Sequence, residues 1–281
     1  MTEPQINHPA LWQSLLPQPN AVSHKYTRGY VLIQGGYPVT GAARLAAMAA
    51  ARSGAGITAI AVPAIAFPIY ASQLLSIVVK PYSDDSSLQA LINDNRVGAL
   101  LIGPGASVSD STRLTAFSML KTTKPVVIDA DALTVFAGKP ERLRKSILAP
   151  CVLTPHDGEF KTLFNLQPAN VLEQRIKQAQ LAAASVGCIV LLKGSQTIIA
   201  DPDGRVILNQ PAPPTLATAG AGDVLAGIIT SLLAQEMPAL EAAAAATWIH
   251  AEAARLCGVG MIADDLPELI PTILQGLMPS E

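Results

Sequence analysis

Short apolar runs recur along the chain, several of them closed by a polar or glycine-rich turn. Tyr30–Gln34, Ile57–Val62, Ser76–Lys80, Ala99–Ile102, Pro125–Ile128, Cys151–Pro155 and Cys188–Leu192 read as strands, and most are apolar throughout rather than alternating. Strands of that kind need cover on both faces, as in a parallel sheet. Helical patterns separate them: Thr40–Ser53, built of very small residues, then Asp85–Asn95, Asp110–Lys121 and the amphipathic Val171–Val186. Ile198–Asp201 and Arg205–Leu208 flank Pro202-Asp203-Gly204, a hairpin signal. Two or three Ala-rich helices follow, to about Cys257, and a tail helix spans Asp264–Leu277. The alternation predicts one α/β domain over residues 26–281, with a doubly wound, mostly parallel sheet flanked by helices. Residues 1–25 read as an extended N-terminal arm.

The turns carry the candidate chemistry. Gln34-Gly35-Gly36, Gly103-Pro104-Gly105, Asp129-Ala130-Asp131, His156-Asp157-Gly158-Glu159 and Lys193-Gly194 all follow strands, so they fall on one sheet edge, where open α/β sheets bind ligands. The central stretch is Ala217-Thr218-Ala219-Gly220-Ala221-Gly222-Asp223, running into an apolar helix with Leu225, Ile228, Ile229, Leu232 and Leu233 at helical spacing. A helix start offers unpaired N–H groups and positive partial charge, and small residues let a phosphate come close. Gly220, Ala221 and Gly222 are thus a candidate anion hole. Asp223 beside it suits proton abstraction from a hydroxyl better than phosphate binding. Asp129 and Asp131 are a candidate metal or hydroxyl site, or helix-capping acids. His24, Lys25 and Arg28 form either an anion-greeting group or a solvated entry loop.

Composition narrows the class. Of 281 residues, 50% are hydrophobic and 14% charged, which implies a large core and subunit contacts. The net charge of −2 and pI of about 6.1 give no footprint for nucleic acid or a membrane surface. Cys151, Cys188 and Cys257 are odd in number, far apart and in apolar settings, as expected of buried thiols in a reducing compartment. The polar, Pro-containing start lacks the pattern of a signal peptide, and no apolar run reaches the roughly 20 residues of a bilayer span. A soluble, cytoplasmic protein is expected.

The loop Thr218-Ala219-Gly220-Ala221-Gly222-Asp223 resembles the carboxyl-terminal signature of the ribokinase-like superfamily. Sugar kinases of that superfamily carry Asp at the position of Ala217 and commonly Asn at that of His156, so this chain departs from them. A narrower likeness accounts for both differences. The pieces are His24-Lys25-x-x-Arg28-Gly29, Gly41-Ala42-Ala43-Arg44-Leu45-Ala46-Ala47, Arg52-Ser53-Gly54-Ala55-Gly56, Ile102-Gly103-Pro104-Gly105 and Asp129-Ala130-Asp131-Ala132-Leu133. Leu153-Thr154-Pro155-His156-x-Gly158-Glu159-Phe160, Leu192-Lys193-Gly194-x-x-Thr197 and Ala217 to Gly227 complete the set. In this order, from about His24 to Pro271, they resemble the ADP- or ATP-dependent NAD(P)H-hydrate dehydratases. Many members have Pro at the position of Asp157 and Thr or Met at that of Ala221. Some carry an epimerase domain, for which 281 residues leave no room.

The resemblance implies repair of NADH or NADPH hydrated at nicotinamide C6, by phosphorylation of the hydroxyl and elimination of phosphate. It implies Asp223 as base, Ala42, Gly105, His156 and Asp223 as substrate contacts, and Lys193, Gly194, Ser195, Gln196, Thr197 and Gly222 as nucleotide contacts. Mg²⁺ is the implied cofactor, with Glu159 as a candidate to hold it through water, and ADP or ATP the phosphoryl donor. A homo-oligomer, a tetramer among the options, is the expected assembly. His250, on an Ala-rich helix, reads as structural. Two rival readings use the same loop: a kinase of vitamin-type alcohols, which would release a stable phosphorylated product, and a noncatalytic nucleotide-binding protein, against which an intact Asp223 argues.

Overall fold

A strand with no polar face has to sit inside a sheet covered on both sides, and the first long strand meets that demand with all five of its residues, Tyr30–Gln34, buried. The structure, a computed structural model, describes residues 3–278. Its strands are β1 (Gln5–Ile6), β2 (Tyr30–Gln34), β3 (Ile57–Pro63), β4 (Val78–Tyr82), β5 (Ala99–Ile102), β6 (Val126–Ile128), β7 (Cys151–Leu153), β8 (Ile189–Leu192), β9 (Ile198–Ala200) and β10 (Val206–Leu208). They form one sheet in the order β1-β10-β9-β8-β7-β6-β5-β2-β3-β4. Every pairing from β4 to β8 is parallel, whereas β9 runs antiparallel to both β8 and β10.

Alternate side chains of each strand face opposite layers. Val31 and Ile33 pack with the helices Gly41–Arg52, Ala221–Ala234 and Ala239–Cys257; Tyr30 and Leu32 pack with Asp85–Ile92, Asp110–Leu120 and Leu172–Val186. The small side chains of Gly41–Arg52 let it lie directly on the helix Ala221–Ala234, where a Cβ added to Gly227 would come within 2.1 Å of the Ala46 carbonyl oxygen. The chain winds from β2 outward to β3 and β4, then returns through β5 to β8 on the other side. That reversal, between β2 and β5, opens a crevice at the carboxyl ends of the strands.

Several details differ from the sequence reading. β4 runs Val78–Tyr82 rather than Ser76–Lys80; it is an edge strand, which tolerates Pro81. Short helices Phe67–Ala71, Pro140–Arg144 and Asp157–Phe164 fall where no periodicity could build up. The arm carries β1, which pairs in parallel with β10, and Trp12, which is fully buried. No helix among the described residues is long and apolar enough to cross a membrane.

Candidate active site

The helix Ala221–Ala234 begins at Gly220, whose φ of +90° is a conformation that L side chains rarely adopt. No side chain caps this helix, so apart from a long 3.5 Å bond from the Ala221 N–H to the Thr218 carbonyl its first-turn N–H groups are left for an anion. Lys193, at the end of β8, brings its ammonium alongside: a Cβ on Gly222 would stand 3.4 Å from Nζ. The glycine therefore leaves room for a cation and a phosphate at the same turn.

Carboxylates surround that lysine. Asp129, 1% exposed at the end of β6, accepts from Lys193 Nζ at 2.9 Å and from the Thr154 hydroxyl at 2.6 Å. Glu159 lies 3.7 Å from the same ammonium. Burial alone would lower the Lys193 pKa, but the charges of Asp129 and Glu159 outweigh it and hold the ammonium above its ordinary range. Burial raises Glu159, with Lys193 opposing. Asp223, in the first helical turn, is pushed up to about 7, first by burial and then by the charge of Asp129, with Lys193 pulling the other way. A carboxyl group balanced near neutrality in a cleft is what a general base requires.

His156 is placed by its backbone role. It caps the helix Asp157–Phe164: Nδ1 accepts from the N–H groups of Gly158 at 2.9 Å and Glu159 at 3.2 Å, while its own N–H donates to Glu159 Oε2 at 2.8 Å. An Asn could accept in the same way, which accounts for the exchange of the two residue types here. With Nδ1 accepting, the neutral ring carries its proton on Nε2, 3.4 Å from Glu159 Oε1. Arg175 ties the neighbouring turn together by binding the Asp157 carboxylate and donating to the Lys193 carbonyl at 2.9 Å.

The other side of the crevice is backbone-rich. Gly36 and Gly105 touch so closely that a Cβ on Gly36 would fall 1.6 Å from the Gly105 carbonyl oxygen. Asp131 accepts from the Ser107 N–H at 2.8 Å, fixing the Gly103–Gly105 turn to the end of β6. Between the two acids, Ala130 takes φ 47° and ψ −122°, a strained conformation for a residue with a Cβ. Ala42 lies in the first turn of Gly41–Arg52, and Leu45 of that helix reaches the anion loop, where a Cβ on Gly220 would meet Leu45 Cδ1 at 2.7 Å. The two halves of the site thus share one helix contact.

Beside the anion loop, on the β8 side, a cavity of about 610 Å³ is lined by His156, Lys193, Gly194, Ser195, Thr197 and Gly222. Pro213, Pro214, Leu216, Ala217 and Leu225 also line it, an apolar lining suited to a flat ring. Gln196 sits in the same turn but is not among the residues lining the cavity. His250, expected to be structural, does line it; burial lowers its pKa to about 4, so the ring is neutral. Asn209 and Thr247 also reach the cavity without a sequence signal, because neither belongs to a motif and only the folding of β10 and the Ala-rich helix brings them there. Among the described residues, no group of three or more His, Cys, Asp or Glu is arranged to hold a metal ion directly.

Comparison with known proteins bears on this geometry. The chain is 38% identical over 267 residues to a bifunctional NAD(P)H-hydrate repair enzyme of Salinibacter ruber, covering 89% of this chain and 49% of that protein. It is also 38% identical over 284 residues to the enzyme of the same name from Moorella thermoacetica, covering 95% of this chain and 53% of that protein. The chain therefore spans about half the length of these curated relatives. The crystal structure of the ADP/ATP-dependent NAD(P)H-hydrate dehydratase from Bacillus subtilis, co-crystallised with ATP and Mg²⁺, superposes with a TM-score of 0.86 at 27% identity, covering 99% of this chain and 100% of that one. Hydroxyethylthiazole kinase from Pyrococcus horikoshii shares the fold, at a TM-score of 0.63 and 17% identity over 90% of this chain and 91% of that one. The family model described as NAD(P)H-hydrate dehydratase matches residues 30–275, from the first residue of β2 to the tail helix and so across every turn of the site. The chain belongs to the NAD(P)H-hydrate dehydratase family.

Proposed function

We propose that this protein dehydrates the C6 hydrates of NADH and NADPH, using ADP or ATP as phosphoryl donor. The observation that carries the reading is the carboxyl group of Asp223, held near neutrality beside an uncapped helix start and the Lys193 ammonium. Hydroxide is a poor leaving group and phosphate a good one. Asp223 takes the proton of the C6 hydroxyl as its oxygen bonds to the terminal phosphorus and the donor's bridging oxygen departs with the shortened nucleotide. The C6–O bond then breaks with phosphate keeping the electron pair, pushed by the ring nitrogen. Loss of the neighbouring C5 proton restores the double bond, so a strong second base is unnecessary.

The N–H groups of Gly220, Ala221 and Gly222 and the Lys193 ammonium stabilise charge on the transferring group. Gly194, Ser195, Gln196, Thr197 and Gly222 hold the nucleotide, and the apolar lining of the cavity takes its base. Ala42, Gly105, His156 and Asp223 contact the hydrate. Glu159, beside the Lys193 ammonium, is a hard oxygen donor that fits a water-mediated contact to a hard cation rather than direct ligation by a carboxylate cluster. Bound Mg²⁺ would neutralise developing phosphoryl charge, with Glu159 holding it through water. The buried thiols Cys151 and Cys188 fit a reducing, cytoplasmic setting. Exposed apolar side chains such as Leu75, Ile65 and Ile69 support a homo-oligomer.

Incubation with hydrated NADH or NADPH, ADP or ATP, and Mg²⁺ tests the reading. Recovery of the reduced-nicotinamide absorbance with release of phosphate is expected. A stable phosphorylated alcohol would instead make the protein a kinase, and nucleotide binding without turnover would make it a binding protein.

A further inference from the structure

Arg44 is a cation without an assigned task. Its guanidinium is held by neutral oxygens alone: Nε donates to the Thr40 carbonyl at 3.3 Å, Nη2 to the Thr40 hydroxyl at 3.1 Å, and Nη1 to Gln73 Oε1. Among the described residues, none of the ion pairs involves it. A rigidly held, unneutralised guanidinium matches a phosphate, whose oxygens take two parallel N–H donors.

Its position gives the phosphate an owner. Arg44 lies in the first turns of the helix Gly41–Arg52, two residues after Ala42 and next to Leu45, which contacts the anion loop. On its other side its charge reaches Tyr70, whose hydroxyl donates to the Gly36 carbonyl at 2.9 Å, and Gly36 in turn touches Gly105. Arg44 therefore flanks the half of the crevice made by Gly36, Ala42 and Gly105, not the cavity beyond Lys193. Within the crevice Lys193 is already engaged by Asp129 and Glu159. A dinucleotide entering the Gly36 side needs a separate cation for its phosphates.

We propose that Arg44 binds a phosphate of the dinucleotide substrate. The inference rests on the proposed dehydratase reading. The experiment measures KM and kcat for hydrated NADH and hydrated NADPH, and nucleotide Kd by calorimetry, in wild type, Arg44→Ala and Arg44→Lys. For Arg44→Ala, KM rises about 10–100-fold, the effect of one lost charge-assisted contact, while kcat and nucleotide Kd stay put. Arg44→Lys, which keeps the charge but not the fork, falls between. A rise for both hydrates places the contact on the diphosphate; a rise for hydrated NADPH alone places it on the 2′-phosphate. An unchanged KM for both, or a parallel loss of nucleotide affinity, overturns the proposal. If the wild type dehydrates neither compound, the functional reading fails, and calorimetric binding of NADPH then decides on Arg44: the same weakening in Arg44→Ala supports the contact and its absence overturns it.

Discussion

Asp223 has two opposed constraints at one carboxyl group: the helix start favours its charge, and burial beside Asp129 opposes it. Because the base must be ionised, kcat/KM is expected to rise with pH and level off above about 7, the value burial sets. Asp223→Asn keeps the shape and removes the base, so kcat should fall by about 10²–10⁴-fold, with nucleotide affinity unchanged or better. Turnover within threefold of wild type, far short of the loss of about 10² or more, would remove Asp223 from the mechanism. Stability follows with its own sign. A carboxyl raised above its unfolded value contributes stability that is fully present below the ordinary carboxyl range and lost as pH rises through about 7. Asp223→Asn should therefore be more stable than wild type in denaturation at about pH 8 and gain nothing at low pH. Lys193 is tested in a pair. Lys193→Met leaves the buried Asp129 carboxylate without its ammonium and should cost on the order of 3 kcal/mol in urea unfolding. Adding Asp129→Asn should restore much of that stability while nucleotide affinity stays low, a separation that a purely structural lysine would not give. The motifs exposed Asp223, Gly222 and Lys193 in the sequence. Asn209, Thr247 and His250 stayed hidden, because a lone polar residue on a strand end or an Ala-rich helix has no local pattern to mark it.

Elements were legible where period or punctuation was strong. The parallel strands β2, β5, β6, β7 and β8 are apolar runs with glycine or polar turns after them, β3 is an apolar run without one, and the sheet follows from their alternation with helices. The helix Asp157–Phe164 has only eight residues and an unusual cap in His156, so neither length nor a familiar capping residue marked it. The Ala-rich helices had a meaning that became clear only in three dimensions: they allow backbone-to-backbone approach. Gly227 on the helix Ala221–Ala234 faces the Ala46 carbonyl, with 2.1 Å between that oxygen and an added Cβ. Helix propensity alone would make Gly227→Ala favourable by up to about 1 kcal/mol. The clash decides the sign, since it forces two helices apart in a packed core and overpacking costs about 1–3 kcal/mol. Thermal denaturation should show a lower Tm for Gly227→Ala, and an increase would mean that the helices separate freely. Because the same helix pair connects Leu45 to Gly220, nucleotide affinity should also weaken in this variant.

At the scale of the molecule, the N-terminal residues are joined to the far edge of the sheet and, through it, to the nucleotide cavity. Trp12 is fully buried, stacks edge-on against Trp248 with ring centroids 5.8 Å apart, and donates its indole N–H to Asn7 Oδ1 at 2.9 Å. Asn7 donates to the Ala244 carbonyl and to Asn209 Oδ1, both at 2.8 Å, and Asn209 lines the cavity. A polar, Pro-containing stretch gave no sign of this in the sequence, because one tryptophan and one asparagine without periodicity look the same in an arm and in a core. Trp12→Ala removes the largest side chain of that contact and should cost about 3–5 kcal/mol, as large-to-small core changes do. Trp12→Phe keeps most of the packing and loses the indole donor, leaving Asn7 Oδ1 short of a partner, for a cost nearer 1–2 kcal/mol. Urea unfolding of the two variants separates packing from hydrogen bonding. Calorimetric nucleotide titration on the same proteins reads the connection onward: Trp12→Ala should bind ADP or ATP more weakly than wild type, since Asn7 no longer holds Asn209 in place, and Trp12→Phe should fall between. A variant that loses stability yet keeps full nucleotide affinity would show that Asn209 is positioned by β10 alone, with the N-terminal segment serving only the core.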